Sequence, residues 1–129
     1  MEHEKITHKI IGCAYRVFSA LGFGFLESVY QKALLIELVK AGLKVEEQKP
    51  LKVYYDGQSV GDFYVDLLIE GSVIVELKSV QRLVKEHEVQ LVNYLTGLKR
   101  DIGLLINFGP NKVEVKRKYR DPKREGGQD

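Results

Sequence analysis

The sequence predicts an α/β domain with a mixed β-sheet flanked by helices. Two segments with apolar residues at helical spacing come first, and several short segments rich in β-branched and aromatic residues follow. One more helical segment separates the last two strand-like segments from the others. A helix between two strands indicates a crossover connection, whereas turns between neighbouring strands indicate antiparallel hairpins. At 129 residues, the chain has the length of one domain.

Two helices separated by a glycine-containing bend are expected first. The first covers about residues 4–20, and its apolar positions are Ile6, Ile10, Ala14, Val17, Phe18 and Leu21. The segment LGFGF at residues 21–25 favours a bend. The second helix covers about residues 26–40 and ends before Gly42, a typical C-terminal cap residue. Its apolar stripe consists of Leu26, Val29, Tyr30, Ala33, Leu34 and Leu38.

Six strands and a third helix complete the predicted order α-α-β-β-β-β-α-β-β. The strand segments are bounded by turn-forming residues, as at Asp56-Gly57 and Gly109-Pro110-Asn111. The predicted strands are 44–47, 51–55, 63–69, 72–78, 101–108 and 112–119, and the third helix covers residues 85–98.

The composition excludes several classes of protein. Hydrophobic residues make up 44% and charged residues 29% of the chain, which is typical of a soluble globular protein. No apolar run is long enough to span a membrane, and the charged start MEHEKITHKI lacks the apolar core of a signal peptide. The single Cys13 excludes an internal disulfide, and no Cys/His pattern has zinc-site spacing. We therefore expect a cytoplasmic protein.

The net charge of +2 is unevenly distributed. Of the 20 basic and 18 acidic residues, residues 116–129 hold six and three, which leaves 14 basic and 15 acidic residues in the body. We expect one domain over residues 1–115 and a basic, flexible tail over residues 116–129. The tail is either a solvated terminus or a basic arm that contacts phosphate. The residues of such an arm would be Lys116, Arg117, Lys118 and Arg120.

Four charged residues interrupt apolar segments. Asp66 lies within FYVDLLI, and Glu76 and Lys78 lie within VIVELK. Glu27 lies at the start of the second helix, within GFLESVY. Charged side chains are rarely buried unless they are paired or bind a ligand. The alternative for Glu76 and Lys78 is an ion pair on the surface of the sheet, and for Glu27 a first-turn acid favoured by the helix dipole.

The register of one predicted hairpin decides whether Asp66 and Glu76 meet. They lie opposite each other only if the numbers of paired residues add up to 142, which requires a loop of odd length such as residues 70–72. A two-residue loop places the carboxylates on opposite faces, unless a bulge restores the match. We predict the odd loop or a bulge, because two carboxylates on one face suit a metal ion.

Such a cluster favours one kind of chemistry. Mg²⁺ prefers oxygen ligands, typically one or two carboxylates together with water and substrate phosphate. A bound metal lowers the pKa of water and polarises a phosphoryl oxygen. A neighbouring lysine orients the water and offsets the negative charge of the transition state. Asp66, Glu76 and Lys78 therefore predict metal-assisted hydrolysis of a phosphodiester.

Three motifs carry a resemblance to known proteins. Asp66, a hairpin and then Glu76-Leu77-Lys78 resemble the PD-(D/E)XK nuclease superfamily. Gln90 and Tyr94, four residues apart on one helix face, resemble the Q-x-x-x-Y motif of its exonuclease branch. GFLESVY at residues 24–30 matches the motif that names the GxxExxY family. The match runs over about residues 6–108, with Val65 in place of the proline that precedes the first acid of the superfamily motif.

The resemblance implies a restriction-endonuclease-like core and a role for each motif residue. It implies Mg²⁺ or Mn²⁺ as the cofactor and an acid on a helix that joins the site. Glu27 would be this acid. The metal would be bound by Asp66, Glu76 and the backbone carbonyl of Leu77, and Lys78 would position or activate water. Gln90 and Tyr94 would hold Lys78 or the nucleic-acid strand.

For three further residues, structural roles are expected. Tyr30 is expected to pack in the core, in a position from which its hydroxyl can reach the site. Cys13 is expected to be a small core residue. His87 is expected to be an exposed histidine, or one at the edge of the substrate, and not a metal ligand.

These observations lead to two functional hypotheses. The first is a metal-dependent nuclease that acts on DNA rather than RNA. The alternative is a catalytically silent, nuclease-like module that binds nucleic acid or a protein partner, because a fold alone does not confer a function. The near-neutral body indicates that a partner protein or a second copy of the chain, as in a homodimer, contributes to nucleic-acid binding.

Overall fold

A five-stranded mixed sheet with helices on both faces forms the molecule, which confirms the predicted fold class. The structure is a computed structural model that describes residues 3–123. The strands lie in the order β1-β2-β3-β4-β5; β3 and β4 are parallel, and the other neighbours are antiparallel. The elements are α1 (His3–Leu21), α2 (Glu27–Lys40), β1 (Val45–Tyr55), β2 (Gln58–Ile69), β3 (Val73–Lys78), α3 (Lys85–Leu98), β4 (Ile102–Phe108) and β5 (Val113–Tyr119).

The first two predicted strands form one strand, β1, so the prediction of six strands was wrong by one. Between the two predicted strands, Gln48 has a positive φ of 50°, and Pro50 lies two residues further on. Pairing with β2 nevertheless continues past both residues. Because β1 is at the edge of the sheet, a proline without an N–H is tolerated there.

At the other edge of the sheet, β5 extends past the domain boundary expected after residue 115. Residues 116–119 pair with β4 and therefore belong to the sheet. The predicted strand over residues 112–119 agrees with this arrangement. The remainder of the expected tail is described only as far as residue 123, and residues 124–129 lie outside the described part of the chain.

Two helices cover one face of the sheet. The predicted apolar stripe of α1 is largely buried, and Cys13 lies in the same core. On α2, Tyr30, Leu34 and Leu38 are buried as predicted. Leu26 and Val29 are wrongly placed in the stripe, because Leu26 precedes the helix and is 76% exposed, and Val29 lies on the exposed side of α2. No helix among residues 3–123 is long and apolar enough to cross a membrane.

A single helix, α3, packs on the opposite face. Its residues Leu91 and Leu95 form a second core cluster with side chains of the central strands, including Ile74. Gly103 on β4 allows this close packing. A Cβ at Gly103 would lie 2.9 Å from Leu91 Cδ1 and 3.1 Å from the carbonyl oxygen of Ile74.

We expect Gly103→Ala to lower the free energy of unfolding by about 1–3 kcal/mol, because the backbone of Ile74 cannot move without disturbing the sheet. The matched control is Gly12→Ala on α1, where the nearest atom to a Cβ is 4.0 Å away. That substitution should be neutral or stabilise the protein by up to about 1 kcal/mol, since alanine favours helix. Urea unfolding of both variants tests the contrast, and equal stabilities would contradict it.

Candidate active site

The hairpin of β2 and β3 has the predicted register. The loop at residues 70–72 has three residues, so the numbers of paired residues add up to 142 as expected. The odd loop therefore sets the register of this hairpin, and no bulge interrupts its three pairs. The pairs are Leu67–Val75, Leu68–Ile74 and Ile69–Val73.

Carboxylates take the place of backbone partners where this ladder ends. The last pair, Leu67–Val75, lies one position before the acids. Beyond it, the amide of Asp66 donates to Oε2 of Glu76 at 2.6 Å, and the amide of Leu77 donates to Oδ2 of Asp66 at 2.8 Å. Each carboxylate is therefore held by the backbone of the neighbouring strand, in the gap between β2 and β3.

A local irregularity in β2 turns Asp66 towards β3. Val65 and Leu68 both belong to the core cluster under α3, whereas Leu67 belongs to the cluster under α1 and α2. Regular alternation would place residues 65 and 68 on opposite faces, so the alternation is broken around Asp66. On β1, Gln48 has left-handed backbone geometry next to this point.

Two glutamines that the sequence analysis missed stabilise this irregularity. Nε2 of Gln31 on α2 donates to the backbone carbonyl of Asp66 at 3.4 Å. Nε2 of Gln48 donates to Oε1 of Gln31 at 3.3 Å, and the Gln48 side chain also hydrogen-bonds to Asp66. No spacing rule indicates these residues, because they are far from Asp66 along the chain.

The two carboxyl groups are hard to ionise in the folded protein. Burial, followed by the charges of Asp66 and Glu27, raises the pKa of Glu76 to about 8, and the Asp66 amide and Lys78 only partly oppose this. Glu76 is 6% exposed. Burial also raises the pKa of Asp66, against the effects of the Leu77 amide, Lys78 and Gln48. Ionising both groups would concentrate negative charge in a buried place, and a bound cation would offset that charge.

The GFLESVY segment is held in place by the hydroxyl of Tyr30. This hydroxyl donates to the carbonyl of Gly22 and accepts a hydrogen bond from the amide of Phe25 at 3.4 Å. Gly24 has a φ of 115°, which side chains disfavour. Tyr30 is fully buried, as predicted, but its hydroxyl closes this loop and does not bond to the acids.

The same loop places Glu27 beside the site. Oγ of Ser79, the residue after β3, donates to the carbonyl of Phe25 at 2.9 Å and fixes the loop against the end of the strand. Glu27 is the first residue of α2 and is exposed. Its charge acts on Glu76, so the structure brings the helical acid within electrostatic reach of the pair.

A buried asparagine, also missed, fixes the chain that follows Lys78. Asn107 on β4 accepts a hydrogen bond from the amide of Val80 and donates to the carbonyl of Val80, both at 2.9 Å. It also donates to Glu114 at 2.9 Å. The side chain thereby mimics a strand partner. Its signal in the sequence was a polar residue inside the apolar segment DIGLLINF.

Helix α3 places a buried tyrosine near the acids and an exposed glutamine on the surface beside it. Tyr94 is buried, and its pKa is raised by burial and by the charges of Glu76 and Asp66, which places it close to both acids. Gln90 is exposed and lines the same surface groove as Tyr94. Nδ1 of His87 accepts a hydrogen bond from the amide of Val84 at 3.1 Å, so this histidine caps the start of α3.

Three of the four basic residues expected to contact phosphate are bonded within the chain. Lys116 is exposed. The others connect β5 and the residue after it to neighbouring parts of the fold, which limits their reach towards a nucleic acid. The contacts are Arg117 to Thr7 at 3.0 Å, Lys118 to Glu88 at 3.1 Å and Arg120 to Asp101 at 2.8 Å.

The oxygen ligands of the cluster suit a hard divalent cation. Within residues 3–123, no three His, Cys, Asp or Glu side chains are grouped so as to hold a metal. Asp66 and Glu76 supply two carboxylates. In an extended strand, the amide and carbonyl of one residue lie on the same edge, so the edge on which the Leu77 amide bonds to Asp66 is also that of its carbonyl. Mg²⁺ commonly binds to one or two carboxylates and completes its shell with water and substrate phosphate. The residues present therefore fit such an ion.

The fold and the paired acids define a nuclease-like class, and comparison with known proteins identifies the superfamily. A family model described as the PD-(D/E)XK nuclease superfamily matches residues 4–118, so the chain belongs to that superfamily. Members of this superfamily are typically nucleases that use divalent metals. No curated protein matches the sequence significantly.

One solved structure, "Crystal structure of SSO0001", is similar in fold. Its TM-score is 0.61 at 17% sequence identity, and the alignment covers 77% of this chain and 52% of that chain. The chain therefore spans about half the length of SSO0001. At this identity, the similarity supports the fold alone.

We expect Glu76→Gln to change how stability depends on pH. The unfolded chain releases the Glu76 proton near pH 4.5, whereas the folded protein retains it up to about pH 8. Wild-type stability should therefore fall as pH rises through this window. Above it, the variant should be more stable than wild type by on the order of 2 kcal/mol.

Urea unfolding below and above this window measures the difference. The control is Glu46→Gln, whose carboxylate is 57% exposed and should leave the pH profile unchanged. Parallel pH profiles for wild type and Glu76→Gln would show that Glu76 is not destabilised by its surroundings.

Tyr30→Phe should lower the free energy of unfolding by about 1–2 kcal/mol, because the carbonyl of Gly22 and the amide of Phe25 lose their partner. Tyr15→Phe on α1 is the matched control, since Tyr15 is exposed and should tolerate loss of its hydroxyl. Thermal unfolding of both variants gives the comparison. If both shift equally, the Tyr30 hydroxyl does not hold the loop.

Proposed function

We propose that this protein is a Mg²⁺- or Mn²⁺-dependent nuclease of the GxxExxY family that hydrolyses phosphodiester bonds of DNA. The observation that carries the proposal is the carboxylate pair at the end of the β2–β3 ladder. Asp66 and Glu76 are held by backbone amides, and Lys78 lies near enough for its charge to act on both. Membership of the PD-(D/E)XK superfamily supports the reaction class.

In this proposal, Asp66, Glu76 and the Leu77 carbonyl bind the metal. When bound, such a cation would lower the pKa of a water molecule and offset negative charge on the phosphoryl group. Binding also favours the ionised forms of the two carboxyl groups, whose pKa values are raised in the metal-free protein.

Lys78 and Glu27 are the two further charged residues of the proposed site, and the charges of both act on Glu76. The ammonium group of Lys78 orients the attacking water and offsets negative charge as the transition state forms. Glu27 adds a third acid at the rim, where it orients water or a metal-ligating group. Tyr94 and Gln90 hold the nucleic-acid strand or Lys78 from the side of α3.

The arrangement of the GFLESVY segment supports the family assignment. Gly24 permits the loop, Tyr30 closes it, and Glu27 starts the helix beside the acids. Each of the three motif positions therefore has a distinct physical role. The near-neutral charge of the body supports a partner protein or a second copy as a contributor to DNA binding.

Asp66→Asn and Lys78→Met should each reduce DNA cleavage by about 100-fold or more, because they remove a metal ligand and the water-orienting charge. The assay compares single-stranded, duplex and flapped DNA, and the corresponding RNA, with Mg²⁺ or Mn²⁺. The matched control is Asp62→Asn on the same strand, where the carboxylate is 65% exposed and pairs with Lys52. This variant should keep wild-type activity.

Calorimetric titration with Mn²⁺ tests the metal site separately. Wild type and Asp62→Asn should bind the ion, and Asp66→Asn should not. Cleavage that persists in both Asp66→Asn and Lys78→Met would contradict the proposal. Binding of nucleic acid without cleavage of any substrate would favour the silent binding module instead.

A further inference from the structure

A groove lies between α3 and the hairpin formed by β1 and β2. We call it the α3 groove. Its volume is about 710 Å³, within the range of ligand pockets in proteins. The lining residues on which the argument depends are Leu51, Val53, Phe63, Val89, Gln90 and Tyr94.

The groove exists because one helix does not cover the whole second face of the sheet. At Gly97, α3 touches β1, since a Cβ there would lie 2.7 Å from Cδ1 of Leu51. Nearer the start of α3, Val89 is 49% exposed, and Phe63 on β2 is 42% exposed. Apolar and aromatic surface is therefore left open at this point.

The lining has the chemistry of a site for a nucleic-acid base. Phe63 and Tyr94 form an aromatic pair with ring centroids 5.9 Å apart and an angle of 47° between the rings. Aromatic rings of this kind are stacking surfaces for unpaired bases. Gln90 and Asn93 add amide groups, which suit the edges of bases, and Lys85 adds a positive charge for phosphate.

Tyr94 connects the α3 groove to the carboxylate pair, because it packs in the same core cluster as Val65, the neighbour of Asp66 on β2. Tyr94 lines the groove, and the charges of Glu76 and Asp66 both act on it. A base stacked in the groove would therefore belong to a nucleotide close to a phosphate at the acids. A paired base is stacked inside its duplex and cannot reach a concave site without leaving the stack.

We propose that the α3 groove binds an unpaired base beside the phosphate at the carboxylate pair, so that the preferred substrate is a single strand or an unpaired end. The location of the cleaved bond rests on the proposed nuclease function, but base binding itself does not. The chemistry is shared by DNA and RNA, and separate arms of the test distinguish them.

The test is fluorescence anisotropy in EDTA, so that binding is measured without cleavage. The probes are labelled single-stranded DNA, single-stranded RNA, duplex DNA and an abasic strand of equal length. Wild type should bind the single strands more tightly than the duplex and the abasic strand. Phe63→Leu should weaken single-strand binding by about 5- to 100-fold and leave abasic-strand binding unchanged.

Matched variants separate stacking from general effects. Tyr64→Leu changes the adjacent exposed aromatic residue, which does not line the groove, and should bind like wild type. Phe63→Tyr should restore single-strand binding because it keeps the ring. If Phe63→Leu does not fold, Val89→Glu is the replacement variant. It introduces a negative charge into the groove at an exposed position, and it should therefore weaken single-strand binding.

The outcomes distinguish this inference from the nuclease proposal. Equal binding of normal and abasic strands, or wild-type binding by Phe63→Leu and Val89→Glu, would overturn the inference while cleavage could persist. Single-strand binding that depends on Phe63, with no cleavage under any metal condition, would support the groove and reject the nuclease. If Phe63→Leu instead converts a dimer into a monomer in sedimentation, the groove is a self-association surface and the inference is wrong.

Discussion

The exchange of hydrogen bonds between Asp66 and the end of β3 is the constraint on which the rest of the site depends. The backbone amide of Asp66 donates a hydrogen bond to the Glu76 carboxylate, and the amide of Leu77 donates one to the Asp66 carboxylate. Two acidic side chains therefore take the place of backbone partners between the strands. This requires a three-residue loop and a break in the alternation of β2. The position of the acids is therefore set by the geometry of the sheet.

Such a site conflicts with stability, and the surrounding structure compensates for it. Burial next to another carboxylate disfavours ionised Glu76, as its raised pKa shows. The polar groups next to the acids are hydrogen-bonded within the fold. The side chain of Asn107 hydrogen-bonds to both the backbone amide and the backbone carbonyl of Val80, and the Ser79 hydroxyl donates to the loop before α2. These contacts fix the chain that follows the acids on β3.

The unequal cover of the two sheet faces has consequences for function. Two helices bury one face in a large core, whereas α3 alone packs on the other and leaves the α3 groove beside it. Because α3 bears Tyr94, the same helix forms a wall of the groove and approaches the acids. Incomplete packing thus provides concave apolar surface next to polar chemistry, the usual combination in ligand sites.

Apolar spacing within short segments was enough to predict the helices and most of the strands. The register that brings Asp66 and Glu76 together was predicted from the chemistry of the acids, since two carboxylates on one face suit a metal ion, and the three-residue loop confirms it. The family resemblance implied that Glu27 would join them. The docked helices and strands were needed to show which distant groups hold the site, and that Pro50 lies within a continuous strand. Such contacts depend on how helices and strands dock, which no local pattern encodes. They involve Gln31, Gln48, Ser79 and Asn107, together with the pairing of Arg117, Lys118 and Arg120 within the fold.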